Sequence, residues 1–329
     1  MIKQYIFHLI LISISLAIIR YRIPLSTFFK VIDYPDNARK LHTNPTSCIG
    51  GFVIFFYTSA SLIYLKSLHN FSTKYLLIWL FIFLFFFILG VVDDRKQLSA
   101  KVKTFFLLVF LFIVIPLDYN HSIHVLKFKD ISYVILLNQG SLYFTIFCIF
   151  FLYNALNFCD GANGVAISVS LFILAGIMHI TNIMNIFYIS IAISLLLLLI
   201  PNLLGKIFIG NSGVNLLSII FSLLLINTYN NDNIYFDQIM LLVFLPCIDM
   251  ARVIVERVVN NESPLRPDQN HLQHLLQKKF NAQYVFIPYL ILAITPYFLN
   301  VIFFTTYTSI GIAIATYFIV FSLLKNKNA

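Results

Sequence analysis

Two adjacent carboxylates, Asp93 and Asp94, follow a long apolar run that ends at Val92. At the C-terminal end of a helix a carboxylate opposes the helix dipole, and two neighbouring carboxylates repel each other. The sequence offers no structural reason for this pair, whereas a bound cation would remove both objections. We therefore expect the pair to bind Mg²⁺, with Mn²⁺ as a substitute, because such hard cations prefer carboxylate oxygens. The alternative is a solvated pair that Arg95 and Lys96 neutralise.

The chain around this pair is predominantly apolar. Of its 329 residues, 60% are hydrophobic, only 11% are charged and 35 are Phe, which excludes an ordinary water-soluble globule. We predict an all-α membrane bundle that forms a single domain over residues 1–329. It has about eleven transmembrane helices, although ten are possible because the limits of the fourth and fifth are the least certain. The predicted spans are 4–22, 49–66, 75–92, 104–118, 141–157, 165–183, 186–204, 213–229, 236–256, 284–302 and 304–324.

The first apolar stretch, Tyr5 to Ile19, is interpreted as a retained span. No small-x-small cleavage site follows it, as a removed signal peptide would require. With the N-terminus outside, in the periplasm, and the C-terminus in the cytoplasm, 17 Lys and Arg residues lie at the inner face and 5 at the outer face. This bias fits the positive-inside rule.

Charge and cysteine content narrow the classes of partner. The net charge of +9 is mostly explained by membrane orientation, so it requires no nucleic-acid partner. A basic inner face would attract anionic lipids and phosphorylated substrates. The four cysteines have no CxxC spacing, so we assign them neither a disulfide nor a metal.

Four further polar segments fall on the same predicted inner face as the aspartate pair. They are 33–42 with Gly50 and Gly51 after it, 154–164, 210–213 and 266–274. The outer segments, in contrast, are short and carry no recognisable pattern. The candidate side chains in the inner segments are Asp33, Arg39, Lys40, His42, Asn154, Asn157, Asp160, Asn163, Asn211, Ser212, Arg266, His271 and His274.

Most of these residues also have a plain structural interpretation. Asp160 could cap the sixth span, and Asn211 or Ser212 could cap the eighth, although free N–H groups at that helix start would also favour a phosphate. Arg39 and Lys40 could be topology signals.

The pair His271 and His274 raises the alternative of a zinc site. We reject zinc because neither a Cys, a third His nor a suitable acidic residue lies at ligand spacing.

Taken together, the five segments resemble the polyprenyl-phosphate N-acetylhexosamine-1-phosphate transferase family (glycosyltransferase family 4). It includes bacterial undecaprenyl-phosphate GlcNAc-1-phosphate transferases and the phospho-MurNAc-pentapeptide translocase. The resemblance covers about residues 25 to 280, with the motifs in the family's order. It implies transfer of a sugar 1-phosphate from a UDP-amino sugar to a polyprenyl phosphate, with Mg²⁺ and release of UMP.

The chemistry of such a transfer matches the residue types present. Attack of a phosphate on a diphosphate gathers negative charge, which calls for a divalent cation, basic residues and N–H donors. The attacking phosphate has a second pKa of about 6, so a strong general base is dispensable.

The resemblance also implies roles for the candidate residues. Asn211 would join the aspartate pair as a metal ligand. Asp160 would contact either the metal or the nucleotide. Asp33 would take a proton or orient Lys40, while Lys103 would neutralise phosphate unless it is only a snorkelling anchor. The remaining candidates would bind substrate: Arg39, Lys40, His42, Asn154, Asn157, Asn163, Ser212, Arg266, His271 and His274.

Four positions depart from the family pattern. Gln97, Asn163 and Asn211 stand where the family has Asp, and Gln273 stands where it has His. Asn211 matters most, because an amide can coordinate Mg²⁺ but brings no charge. An alternative is therefore a weak or inactive relative that binds polyprenyl phosphate or a partner enzyme. A secondary transporter is a more remote alternative. Transporters hold their binding groups near the bilayer midplane, whereas the charged candidates here lie at span ends on one side.

We expect a multi-pass protein of a bacterial inner membrane with a cytoplasmic active site. The His-Leu-Gln-His sequence at 271–274 is closer to the GlcNAc type than to the pentapeptide translocase with its three consecutive histidines. The product would initiate O-antigen, capsule or a related envelope polysaccharide. A homodimer is an open expectation.

Overall fold

A computed structural model describes residues 2–35, 45–69, 71–264 and 269–326. Its helices are α1 (Ile2–Arg20), α2 (Arg22–Phe29), α3 (Gly50–Leu68), α4 (Thr73–Lys96), α5 (Ala100–Val114), α6 (Ser141–Cys159), α7 (Val165–Thr181), α8 (Ile186–Leu203), α9 (Gly210–Asn230), α10 (Phe236–Leu242), α11 (Phe244–Val259), α12 (Leu272–Gln277), α13 (Phe286–Ile302) and α14 (Thr306–Asn326). Two antiparallel pairs of two-residue strands accompany them: β1 (Ile32–Asp33) with β2 (Thr46–Ser47), and β3 (Val125–Leu126) with β4 (Ile135–Leu136).

A helical segment lies at every predicted apolar stretch, which confirms an all-helical, polytopic membrane protein. Within the described residues, eight helices are long and apolar enough to cross a membrane, or nine if one bent pair counts as a span. The helices α7 and α13 are apolar but shorter.

The bent pair corrects the ninth predicted span. Instead of one helix over 236–256, the chain forms α10 and α11, whose axes differ by 78°. The break lies at Val243, three residues before Pro246. Proline lacks an N–H and clashes within a helix interior, but it is tolerated in a first turn. Restarting the helix at Phe244 places Pro246 in that first turn.

The chain forms two compact units. The first comprises residues 1–103 and 182–220. In it, α3 packs against α1, α4 and α8. The indole of Trp79 on α4 meets the ring of Phe187 on α8 edge to face, with ring centroids 6.2 Å apart. The second unit comprises residues 104–181 and 221–329. There α6 packs against α11, and α13 packs against α7, α10, α11 and α14.

Glycines let the start of α9 approach its neighbours in the first unit. A Cβ atom at Gly90 on α4 would collide with the backbone of Ser212, and one at Gly51 on α3 would collide with the backbone of Ser212 and Gly213. The chain before α9 is also pinned, because Gly51 N–H donates to the Ile209 carbonyl at 2.9 Å. The end of α4 and the start of α9 are thereby brought together.

Candidate active site

Asp94 lies in the last turn of α4 and binds the first turn of α9. Its Oδ1 accepts the backbone N–H of Asn211 at 2.7 Å and the side-chain amide of Asn211 at 3.0 Å. Its Oδ2 accepts the backbone N–H of Ser212 at 3.1 Å. A carboxylate here complements the positive end of the α9 dipole and uses N–H groups that have no partner within the helix.

Asp93 has different partners, although it is the adjacent residue. It is only 4% exposed, and its Oδ2 forms an ion pair with the Lys103 ammonium. Its Oδ1 accepts the backbone N–H of Leu98 at 2.9 Å. The same ammonium lies 3.5 Å from Oδ1 of Asn211. Lys103, on α5, therefore contacts side-chain oxygens from both α4 and α9.

These contacts correct the sequence argument for the aspartate pair. We expected no structural reason for two carboxylates at a helix end, but the structure supplies partners for both of them. The alternative of a solvated pair neutralised by Arg95 and Lys96 is also wrong, because Asp93 is buried and its cationic partner is Lys103. The N–H groups of Asn211 and Ser212, which we expected to be free, are donors to Asp94.

The cluster of Asp93, Asp94, Lys103 and Asn211 nonetheless fits a hard divalent cation. A protein cation, the Lys103 ammonium, already contacts a carboxylate oxygen of Asp93 and the amide oxygen of Asn211. Mg²⁺ is commonly held by one or two carboxylates with water and substrate phosphates. The described residues contain no group of three or more His, Cys, Asp or Glu placed to hold a metal, so the fit rests on this smaller set.

Glycine at position 210 leaves room for the Asp94 carboxylate at the start of α9. Gly210 has φ of +72°, and a Cβ atom there would lie 2.8 Å from Oδ2 of Asp94. A side chain would therefore be strained and would also press on the carboxylate.

The asparagine-rich segment belongs to the second unit. The side-chain amides of Asn154 and Asn157 donate to the carbonyls of Phe150 and Tyr153, at 2.8 and 2.9 Å, so their side-chain oxygens are the groups left for a ligand. Asp160 lies at the C-terminal end of α6, and α7 begins only at Val165. Asp160 is therefore not at a helix start, where we had placed a cap.

The second unit brings the turn after Asp160 together with the histidine segment. His271 immediately precedes α12 and His274 lies within it. A Cβ atom at Gly161 would lie 2.8 Å from Nε2 of His274. Gln273, which stands in place of a family His, donates its side-chain amide to the Phe158 carbonyl at the end of α6.

Sequence reasoning missed the residues that hold His271. Its Nδ1 lies 2.9 Å from Oδ2 of Asp249 on α11, and Asp249 forms an ion pair with Arg252 at 2.9 Å. Tyr317 on α14 donates to the same carboxylate at 2.7 Å. Ionisable residues within an apolar span are expensive and usually functional, and this signal could have identified Asp249 and Arg252.

Several predicted site residues lie outside the described residues or in other segments of the fold. Arg39, Lys40, His42 and Arg266 fall outside the described ranges. Asp33 lies in β1, which packs against α4, and Asn163 lies in the turn between α6 and α7. The roles of all these residues stay predictions, and so does Asp160 as a metal ligand.

Comparison with known proteins gives consistent matches. Residues 76–229 match the family model described as Glycosyl transferase family 4. The chain is 26% identical to the probable undecaprenyl-phosphate N-acetylglucosaminyl 1-phosphate transferase of Bacillus subtilis, over 74% of this chain and 69% of the relative. It is 23% identical to the undecaprenyl-phosphate alpha-N-acetylglucosaminyl 1-phosphate transferase of Salmonella typhi, over 78% and 72% respectively. It is 24% identical to the decaprenyl-phosphate N-acetylglucosaminephosphotransferase of Mycolicibacterium smegmatis, over 82% and 75%.

Proposed function

We propose that this chain is a member of glycosyl transferase family 4 and that it transfers an N-acetylated amino-sugar 1-phosphate from a UDP-sugar to undecaprenyl phosphate or a similar polyprenyl phosphate. The products are the polyprenyl-diphosphate-sugar and UMP. It is thus an enzyme, a glycosyl-1-phosphate transferase. The relatives are described as GlcNAc 1-phosphate transferases, so UDP-GlcNAc is the first donor to test.

The observation that carries this proposal is the convergence of Asp93, Asp94, Lys103 and Asn211 at the junction of α4 and α9. Three residues offer hard oxygen ligands and the fourth offers an ammonium. Asp93, Asp94 and Asn211 would hold Mg²⁺, which would neutralise charge on the diphosphate when bound. Lys103 can move its ammonium from Asp93 to a substrate phosphate, because a Lys side chain is long and flexible.

The transfer step is a displacement at phosphorus. A phosphate oxygen of the polyprenyl phosphate attacks the β-phosphorus of the UDP-sugar. A new P–O bond forms there, and the bond between the β-phosphorus and the bridging oxygen breaks. The bridging oxygen leaves with UMP. Since the attacking phosphate is already largely ionised near neutral pH, no residue has to remove a proton from it.

The remaining predicted residues divide between the two substrates. His271 and His274 would recognise the donor with Asn154, Asn157 and Asp160. Arg39, Lys40, His42 and Arg266 would add positive charge for the phosphates, and the lipid tail would lie along an apolar groove between helices.

The membrane setting of the proposal retains the sequence-based orientation. We place the N-terminus in the periplasm, count eleven crossings and put the active site on the cytoplasmic face of a bacterial inner membrane. This orientation rests on the 17 to 5 distribution of basic residues. The product would then feed an envelope polysaccharide such as O-antigen or capsule.

The proposal is tested by UMP release from purified protein with undecaprenyl phosphate, Mg²⁺ and a panel of UDP-N-acetylhexosamines. Wild-type turnover that is lost in Asp94→Asn supports the transferase, and the best donor names the sugar. No turnover in wild type, with turnover in Asn211→Asp, would instead favour the weak relative, because Asn211 is the departure closest to Asp94.

A further inference from the structure

A buried polar network in the second unit surrounds Asp249 on α11. Asp249 is only 3% exposed. A buried carboxylate is costly unless its charge is compensated. Its Oδ1 accepts the Tyr317 hydroxyl at 2.7 Å and the Arg252 guanidinium at 2.9 Å. Its Oδ2 contacts Nδ1 of His271 at 2.9 Å. The carboxylate also accepts the backbone N–H of Leu272, at 3.1 and 3.2 Å from its two oxygens.

Arg252 balances this carboxylate and fixes its surroundings. Its guanidinium lies over the Phe321 ring, 4.0 Å from the centroid, and also donates to the Glu256 carboxylate at 2.8 Å and to the Asn270 carbonyl at 2.6 Å. Its Nε donates to the Tyr317 hydroxyl at 2.6 Å. The network therefore hydrogen-bonds to the backbone of Asn270 and Leu272, the residues on either side of His271.

The contact with Asp249 determines which nitrogen of His271 carries a proton. An ionised carboxylate can only accept, so Nδ1 of His271 must donate to it. The bond made by one ring nitrogen sets the role of the other, which leaves Nε2 for a ligand. A His271 ring that carries a proton on both nitrogens donates from Nδ1 to Asp249 and can donate from Nε2 to a phosphate oxygen.

We propose that Asp249 is a positioning residue for binding of the sugar-nucleotide donor. It holds His271 with Nδ1 protonated, which leaves Nε2 available to the donor diphosphate. This inference rests on the proposed function, in which His271 recognises the donor. Arg252 and Tyr317 support the position of Asp249. The group that Nε2 of His271 would recognise is the diphosphate of a nucleoside diphosphate.

The test is a double-mutant cycle with Asp249→Asn and His271→Ala. In Asp249→Asn the amide can donate to Nδ1, which leaves a neutral imidazole with its proton on Nε2. That ring can still donate to a phosphate oxygen, but the hydrogen bond lacks the ionic contribution of a charged donor. We expect the KM for UDP-GlcNAc to rise about 10-fold or more, with little change in kcat. In the His271→Ala background the same substitution should have no further effect, because Asp249 acts through His271.

Asp237→Asn is the matched control. Asp237 is another buried carboxylate of the second unit, 1% exposed, but it accepts the backbone N–H of Lys129 at 3.1 Å and lies on α10. We expect its donor KM to match that of wild type. The melting temperature of every variant in detergent shows whether it is folded. If Asp249→Asn does not fold, Tyr317→Phe replaces it in the cycle, with a smaller change in the same direction.

Direct titration with UDP-GlcNAc, without undecaprenyl phosphate, separates this inference from the proposed function. Coupling between Asp249 and His271 in donor affinity supports the inference even if wild type shows no turnover, which would count against transfer alone. Additive losses in the cycle would overturn it, since they would mean that Asp249 only anchors the 269–277 segment. Absence of binding by wild type of UDP and of every UDP-N-acetylhexosamine in the panel would also overturn it.

Discussion

Asp94 accepts two hydrogen bonds from Asn211 on the same oxygen, one from the backbone N–H at 2.7 Å and one from the side-chain amide at 3.0 Å. An aspartate at position 211 could supply only the first of these, because an ionised carboxylate has no donor. Asn211 thus stabilises Asp94 directly, whereas two carboxylates at this separation would repel each other unless a cation lay between them.

The substitution Asn211→Asp should therefore make stability depend on divalent cations. In a chelator such as EDTA we expect this variant to melt at a lower temperature than wild type, and Mg²⁺ should restore most of the difference. Thermal unfolding of the detergent-purified protein with EDTA and with Mg²⁺ measures this effect.

The matched control for that experiment is Asn231→Asp, which also removes an amide donor. The side-chain amide of Asn231 donates to Oδ1 of Asn227 at 3.0 Å at an exposed position. This variant should show no Mg²⁺-dependent shift. Equal melting temperatures of Asn211→Asp and wild type in EDTA would contradict the repulsion argument.

Asp94→Asn should lower UMP release by about 10- to 100-fold or more, because it removes a ligand of the proposed cation and a charge at the start of α9. The control is Asp232→Asn, which removes an exposed carboxylate paired with Lys127 at 2.5 Å. Initial rates with saturating UDP-GlcNAc compare the two. Equal rates for both variants would remove Asp94 from the catalytic site.

Lys103→Met should separate cation binding from turnover. The ammonium of Lys103 pairs with Asp93, so removing it should strengthen Mn²⁺ binding, because a competing positive charge is gone. Turnover should nevertheless fall, because a phosphate loses its basic partner. Mn²⁺ titration followed by electron paramagnetic resonance, beside UMP release, measures both quantities.

Lys101→Met is the control for Lys103, since Lys101 is exposed on the same helix two residues away. It should change neither quantity. Weaker Mn²⁺ binding in Lys103→Met would show that Lys103 helps to assemble the cation site and does not compete with the cation.

Gly90→Ala should destabilise the junction of α4 and α9. The added Cβ would collide with the backbone of Ser212, and overpacking of this kind typically costs about 1–3 kcal/mol. Gly311→Ala provides the control, because a Cβ there meets no atom within 4 Å. Within a helix that change should be neutral or stabilising, by up to about 1 kcal/mol. Melting temperatures in the same detergent compare the two, and equal values would contradict the close approach.

The sequence predicted the helices well because a membrane span is a local property of about 20 consecutive residues. Each of the eleven apolar windows corresponds to a helical segment. The break between α10 and α11 was missed because hydropathy does not report a change of direction, although Pro246 could have indicated it.

The partners of Asp93 and Asp94 could not be predicted from local pattern. Asn211 lies 117 residues after Asp94 in the chain, and the contact depends on glycines that let two helices approach. The Asp249 network was missed for a related reason. Its members lie on α11, on α14 and at the start of α12, and Arg252 was one of the 17 inner-face Lys and Arg residues, which were used only to assign the membrane orientation.

The central claim is that transfer breaks the donor's bond between the β-phosphorus and the bridging oxygen. UDP-GlcNAc labelled with ³²P on its β-phosphate tests this claim most directly. With wild-type protein, undecaprenyl phosphate and Mg²⁺, we predict that the label moves into the organic-extractable lipid while unlabelled UMP is released. Label recovered as UDP would mean that the glycosidic bond breaks instead, and label that remains in UDP-GlcNAc would mean that no transfer occurs. Either result would contradict the proposed function.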